Sequence, residues 1–518
     1  MVKAGYTRLR EELGLLVPPL GMELAAGDEY KDKTIKWGKE TLKLLAKTKK
    51  VGVTIPEFIE TAIKYQGIRL SYLVPIFEKI DVGELTLYIK EKPKSEIRRC
   101  IWYLYEWLTG LHLNIADSTA AYTLLAHERF YYTRARAVKD KRTRVENNLL
   151  GNKEFCPMIR KTPAVLNWAK KNLIHEAITR LKFLSPVVNT EVLGRSVSYL
   201  YTKETKSSTE IEGEDSREDK TRKFFRVLKN SGTIPLDKMR LIFVQNQIVN
   251  SAYKDDDYRA KEIYVGVARM TLAGMDEDIH FIGPKAEQVP SMMNGLLKMH
   301  EALMADSTLP DMMHAALISF GLVYIHPFSD GNGRTHRYLI HDVVKSRSPE
   351  DQDFIIPVSA AILQNPQEYD KVLETLSRPI MAMIDYDLDD TDKSITINND
   401  LSYMYRYPDL TPHVEFLYKM MDAAINIDLL KEVFFILKFD TVKKIINKRY
   451  DLPNKELDLL VQLLLSNNAI VGKKKRKRFE EWLKAGEFEE IELIAAKYFK
   501  ELDEMERSLD ESQSEDRV

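Results

Sequence analysis

At 518 residues the chain is too long for one core, so two to four domains are expected. Hydrophobic residues at 44% and charged residues at 30% exclude a disordered chain. The 77 Lys+Arg balance 78 Asp+Glu, which excludes a polyanion partner for the chain as a whole, and two cysteines, Cys100 and Cys156, exclude a disulfide framework.

In chain order, residues 1–195 read as an α-helical domain. The start, Met1 to Arg10, is basic, but Glu11, Glu12 and Pro18-Pro19 make it a poor secretory signal; a reducing, cytoplasmic setting is expected. The stretch from Ile97 to Leu108 puts Ile97, Ile101, Leu104 and Leu108 on one helix face, and Gly110 supplies a stop. Further helical patterns run through Ser118 to Arg136 and Val165 to Phe183, and period-2 runs are scarce.

Residues 196–395 read as a second domain. Helices are expected over Leu236–Lys254, Pro290–Met304 and Asp311–Ile325, with a last pair through Pro366–Met383. The nearly apolar run Ala315–Ile325 is too short for a membrane span, and no membrane partner is expected. A β-hairpin is expected over Met270–Ile282 with Gly274 in its turn. Residues 396–425 read as a linker. In 426–500, three amphipathic stretches (Leu430–Leu437, Thr441–Lys448, Lys455–Ser466) and a strand-like Ala469–Val471 suggest a winged helix. Residues 501–518 read as a disordered acidic tail.

One segment carries chemistry: His326-Pro-Phe-Ser-Asp330-Gly-Asn-Gly-Arg334-Thr-His-Arg337. An apolar helix delivers a histidine into a loop that Gly331 and Gly333 free to adopt unusual conformations, with Asn332 between them. The N–H groups of such a loop form an anion nest, and a helix starting near Arg334 aims its positive end at the same point. Arg334 and Arg337 share a helix face and can fork onto phosphate oxygens. Asp330 suits Mg²⁺ and His326 a proton-transfer role. Together they suggest phosphoryl or nucleotidyl transfer from a nucleoside triphosphate, although the loop lacks the Lys-Ser/Thr ending of a Walker P-loop. His314, His336 and His341 lack partners at metal spacing and read as ordinary helix residues.

Residues 326–337 resemble the Fic signature, His-Pro-Phe-x-Asp/Glu-Gly-Asn-Gly-Arg-x-x-Arg, without departure at any defining position. Similarity to larger bacterial Fic proteins extends to Trp102–Gly110, Asn147–Gly151, Phe155–Pro157 and the C-terminal module. The resemblance implies a mainly α fold: an N-terminal helical domain, an all-α Fic core with a β-hairpin flap, and a winged-helix-like module. It implies a protein adenylyltransferase moving AMP from ATP, with Mg²⁺, onto Tyr, Thr or Ser hydroxyls of a target protein or of the chain itself. His326 would be the general base and Asp330 the Mg²⁺ ligand. Gly331, Asn332 and Gly333 would stabilise the transferring phosphate, and Arg334 and Arg337 would bind the β- and γ-phosphates. Phe328 would be a buried anchor.

Ser207 to Gly213 reads by itself as an N-cap serine and an acidic first helical turn. Beside the signature, Ser208-x-x-x-Glu212-Gly213 resembles the family's inhibitory motif in the class where it precedes the core. Glu212 would pair with Arg337 and displace the γ-phosphate. The hairpin, leading through Phe281, Ile282 and Gly283, sits where relatives carry a flap that docks the target backbone; any surface hairpin is the other reading. Tyr369 either lines an adenine pocket or is a core or surface ring. Three alternatives stay open: removal of AMP as well as its addition, transfer of another phosphate-containing group, and a DNA-binding regulator acting through Lys473 to Arg478. That cluster reads equally as a solvated helix start. A homodimer is also compatible with the sequence.

Overall fold

The computed structural model describes every residue except 1, 38–39, 185–189, 214–217, 272–273, 349–354, 390 and 516–518. The chain is mainly helical and divides into two units. The first comprises Met1–Lys170, Arg226–Pro349 and Pro366–Tyr418; the second comprises Lys171–Phe225, Glu350–Asn365 and Lys419–Val518. This division differs from the expected boundaries at 195 and 395. The N-terminal region and most of the Fic-like segment share one unit, while residues around the inhibitory motif share the other with the C-terminal helices.

The first unit opens with a sheet where only helices were expected. Lys3–Ala4, Met22–Ala26, Glu40–Leu45 and Lys33–Trp37 are neighbours in that order, with Met22–Ala26 parallel to Glu40–Leu45. Strands of two to six residues are too short to leave a clear alternation in the sequence, and only Ala4, Leu24 and Leu45 form their buried cluster.

Four helices follow, Ile55–Gln66, Leu70–Lys79, Val82–Glu91 and Glu96–Thr109. The last matches expectation, burying Ile101, Trp102, Leu104, Tyr105 and Leu108 and ending on Gly110 at φ 76°. The helix expected over Ser118–Arg136 is absent. Side chains take its backbone groups instead: Asn148 exchanges two bonds with Ala126, His127 Nδ1 accepts from Arg129 N, and Thr123–Leu124 joins a small sheet. The pattern over Val165–Phe183 is two helices, Pro163–Trp168 and Leu173–Leu184.

In the same unit, helix Asp311–Ile325 is buried from Met312 to Ile325, as a helix that is apolar nearly all round must be. Helices Val289–Met304 and Asn332–Arg347 pack against it, and Lys238–Ile248 packs on the latter. The expected pair near 366–383 is one helix, Pro366–Met381. The hairpin is longer than read, with strands Tyr264–Thr271 and Gly274–Ile282 and a register shift between Val265 and Gly266.

Residues 396–418 are no linker. Three tyrosines anchor them: the Tyr403, Tyr405 and Tyr407 hydroxyls donate to the carbonyls of Leu16, Ile282 and Lys153, each at 2.6 Å. Ile395 and Ile397 form a cluster with Ile282.

In the second unit, helix Thr190–Ile211 packs on Val358–Gln364 and on Leu430–Arg449. The buried Glu204 carboxylate accepts from Ser359 N at 2.8 Å and from its hydroxyl. Two of the expected C-terminal stretches merge into Leu430–Arg449, followed by Asn454–Ser466 and the long helix Ala485–Glu515. Leu457, Leu460, Leu464, Phe479, Phe488 and Ile491 are among their core residues.

Among the described residues no strand follows Ile397, so the expected wing does not form. Asn468 and Ala469 are both left-handed, at φ 48° and 64°, a turn that no strand can follow through. The expected disordered tail is helical as far as Glu515, since Leu502 and Met505 continue the partly buried stripe of Phe488, Ile491, Ala495 and Tyr498. No helix of the described residues is long and apolar enough to cross a membrane.

Candidate active site

Helix Asp311–Ile325 ends on His326, a non-glycine residue in the left-handed region at φ 52°, ψ 60°. Its N–H closes the helix onto Leu322 O at 2.8 Å. The imidazole Nδ1 lies 3.0 Å from Val323 O. A carbonyl only accepts, so Nδ1 carries the proton, and the neutral ring has its basic lone pair on Nε2. The Phe281 ring, from the hairpin, stands against the imidazole with centroids 5.8 Å apart.

The following turn is closed on itself. Phe328 N donates to Asn332 Oδ1 at 3.0 Å, and Asn332 Nδ2 donates back to Phe328 O at 2.7 Å, with both side chains buried. Gly331, at φ 81°, caps helix Asn332–Arg347, and a Cβ there would lie 2.6 Å from Val249 Cγ1. Glycine meets both demands. The first amides of that helix, at Asn332, Gly333 and Arg334, have no acceptor within it, which makes the loop the electropositive end of a 16-residue helix.

Asp330 is half-buried. Its Oδ1 accepts from Gly331 N at 2.6 Å and lies 3.5 Å from Arg334 Nη2, which leaves Oδ2 for a cation. Among the described residues no group of three or more His, Cys, Asp or Glu could hold a metal. A cation at Asp330 would therefore draw its other ligands from water and from a bound phosphate. Arg334, 2% exposed, donates to Ile248 O at 3.0 Å. Arg337, three residues on, is fully buried.

Three supporting residues carried no mark in the sequence. Gln245 Nε2 donates to Asp330 O at 3.2 Å and to Tyr253 O at 2.9 Å. Asp255 accepts from both the N–H and the hydroxyl of Ser329. Arg259 binds the His326 carbonyl at 2.7 Å. Burial pushes its guanidinium down to about 10, still charged at neutral pH. Asp255 and Arg259 sit in a polar run, Asp255-Asp-Asp-Tyr-Arg259, that reads as plain surface loop.

The remaining expected site residues lie as follows. Tyr369 is 8% exposed and stacks on His336 and Phe416. Phe281, Ile282 and Gly283 form the buried foot of the hairpin; among its described side chains His280 is exposed, as are Val265 and Val267. Alternation puts those two on one face. Ser208, Glu212 and Gly213 lie in the second unit, at the end of helix Thr190–Ile211 rather than at its start. Gly213 is left-handed at φ 67°, and its N–H bonds Glu210 O, so the N-cap reading of this segment does not hold.

In the basic cluster, Arg476 bonds Glu489 and Glu492, and Arg478 bonds Glu456, which fits a helix start packed on its own unit.

Residues 235–343 match the Fic/DOC family model. Over this segment the chain is similar to the Fic/DOC family. The match runs from helix Lys238–Ile248 into helix Asn332–Arg347 and contains the whole signature loop. Among solved structures, the chain is similar to a Fic family protein from Desulfovibrio desulfuricans G20, at 18% identity and TM-score 0.37, over 59% of this chain and 87% of that one. It is also similar to a Fic domain-containing signaling protein from Bacteroides thetaiotaomicron, at 18% identity and TM-score 0.34, over 51% of this chain and 97% of that one. No curated protein matches the chain. The likeness to this family rests on the match over residues 235–343.

Proposed function

We propose that the chain is a protein adenylyltransferase that joins the AMP of ATP to a Tyr, Thr or Ser hydroxyl of a protein, its own surface included. The hydroxyl oxygen attacks the α-phosphorus, the bond from that phosphorus to the bridging oxygen breaks, and pyrophosphate leaves. The hydroxyl proton passes to Nε2 of His326. The amides of Asn332 and Gly333 and the guanidiniums of Arg334 and Arg337 face the phosphate charge, and Asp330 Oδ2 would hold Mg²⁺, which neutralises the triphosphate. Catalysis is then positioning and charge stabilisation. The observation that carries this reading is the Nδ1 bond to Val323 O, which fixes the tautomer a general base needs beside an open helix N-terminus.

Glu212 serves as a brake in this proposal, as the resemblance of Ser208-x-x-x-Glu212-Gly213 to the family's inhibitory motif implies. Its position just beyond the last residue of helix Thr190–Ile211 supports this, because a carboxylate at a helix C-terminus is unfavourable unless a cation meets it. The test is transfer from doubly chosen label. Label from α-labelled ATP is expected to reach protein and to rise at least tenfold in Glu212→Gly, whereas γ-label is not retained. Retained γ-label would assign phosphate transfer instead, and equal α-labelling of wild type and variant would remove the brake.

A further inference from the structure

Arg259 is buried, and Nε, Nη1 and Nη2 each donate to a backbone carbonyl, with Glu262 Oε2 3.7 Å from Nη1. Nε donates to His326 O at 2.7 Å, Nη1 to Lys261 O at 2.7 Å and Nη2 to Pro284 O at 2.5 Å. Its main-chain N–H takes Pro327 O at 2.8 Å. Lys261 and Pro284 flank the two strands of the hairpin, Tyr264–Thr271 and Gly274–Ile282. One side chain therefore ties both feet of the hairpin to the residue that bears the imidazole.

The local chemistry shows why an outside tie is needed. A left-handed residue at a helix end is usually secured by a second bond, from the N–H of the next residue back into the last turn. Here the next residue is Pro327, which has no N–H. The backbone of His326 closes onto Leu322 O and its Nδ1 onto Val323 O, in a conformation that non-glycine residues rarely adopt, with its carbonyl turned out of the helix. Arg259 receives that carbonyl and the following one. On the other side of the histidine, Phe281 of the hairpin contacts the imidazole ring. Hairpin and imidazole are thus set by the same pair of contacts.

We infer that Arg259 is a positioning residue for the transfer reaction, holding the left-handed turn at His326 and coupling it to the hairpin. The inference rests on His326 being the base. A lysine at 259 keeps the charge but donates from one point and cannot fork over three carbonyls. Displacement of a base by about 1 Å costs on the order of 100-fold in rate.

The experiment measures auto-labelling from α-labelled ATP in the Glu212→Gly chain carrying Arg259→Met, Arg259→Lys or His326→Ala. Arg259→Met is expected to lower kcat about 100-fold with the KM for ATP changed less than about threefold, and Arg259→Lys is expected to fall in between. Should Arg259→Met fail to fold, Arg259→Lys decides: a lowered kcat at an unchanged melting temperature supports the inference. Unchanged kcat in a folded variant, or a loss carried wholly by KM, overturns it. His326→Ala separates the two readings. If it abolishes labelling while both Arg259 variants label normally, only the positioning role falls; if it labels normally, the base falls and the positioning role falls with it.

Discussion

Asn332 and Phe328 exchange two hydrogen bonds, N–H to Oδ1 at 3.0 Å and Nδ2–H to carbonyl at 2.7 Å. A family signature can be read as a row of catalytic groups, but this pair is a brace that fixes the turn carrying Asp330 and Gly331. Asn332→Ala leaves a buried N–H and a buried C=O without their partner, at about 1–3 kcal/mol each. It is expected to destabilise the unit by about 2–6 kcal/mol and to abolish transfer. Asn332→Asp keeps the acceptor for Phe328 N–H and is expected to lie between. Calorimetric melting together with α-label transfer checks both.

Gly331→Ala meets two separate penalties. The left-handed φ of 81° costs about 1–2 kcal/mol, and the added Cβ would sit 2.6 Å from Val249 Cγ1, a β-branched side chain that rotates away poorly. The double variant with Val249→Ala removes the clash and retains the backbone penalty. A cycle of the two is expected to show coupling of about 1 kcal/mol or more in unfolding free energy, and additive values would rule out the contact.

Much of this site was legible from sequence because its residues are contiguous. Twelve consecutive positions hold the histidine, the carboxylate, the glycines and both arginines, so periodicity alone places them on one helix–loop–helix. Gln245, Asp255 and Arg259 reach the loop only through the tertiary fold, and an Asp-Asp-Asp run looks solvated in any one-dimensional reading. Fold was read best where one pattern ran long. Asp311–Ile325 and Glu96–Thr109 came out as expected, while the strands at 3–45 were too short to register. Residues 396–425 read as a linker because a polar and acidic run, Asp385 to Asp400, leads into them, yet Tyr403, Tyr405 and Tyr407 bind down their first part. The wing was expected where none forms among the described residues, since the run Ala469–Val471 fits either a strand or, as found, a left-handed turn and its exit.

A pair of buried histidines makes the first unit acid-sensitive. Arg347 Nη1 can only donate, to His314 Nδ1 at 3.3 Å, so neutral His314 carries its proton on Nε2 and donates to His300 Nδ1 at 3.1 Å. Burial, then the Arg347 charge, pulls His300 down to about 4; burial holds His314 well below the usual range, with His300 and Arg347 adding to it. Unfolded, both titrate near 6.5. The unfolded chain thus binds protons that the folded chain refuses, and stability falls as pH drops from about 6.5 toward 4. The slope is up to about 1.4 kcal/mol per pH unit for each histidine. His300→Gln is expected to flatten the dependence of melting temperature on pH across that window; an unchanged slope would remove the pair as its source.

The basic cluster separates into structural and solvated members. Glu492 Oε1 accepts from Val471 N at 2.7 Å and from Arg476 Nη2 at 2.8 Å, and Arg476 Nε donates to Val471 O at 3.0 Å. Glu492→Ala is expected to cost about 1–2 kcal/mol. Exchanging Lys473, Lys474, Lys475 and Lys477 for glutamine is expected to change stability by less than about 0.5 kcal/mol, because all four are exposed. Denaturant titration of the full chain distinguishes the two.

The imidazole of His326 is the element on which the proposed chemistry depends, and intact-mass spectrometry tests it most directly. After incubation of the Glu212→Gly chain with ATP and Mg²⁺, the protein is expected to gain the mass of one or more AMP groups, and the same chain with His326→Ala is expected to gain none. An AMP adduct that forms as readily without the imidazole would contradict the account.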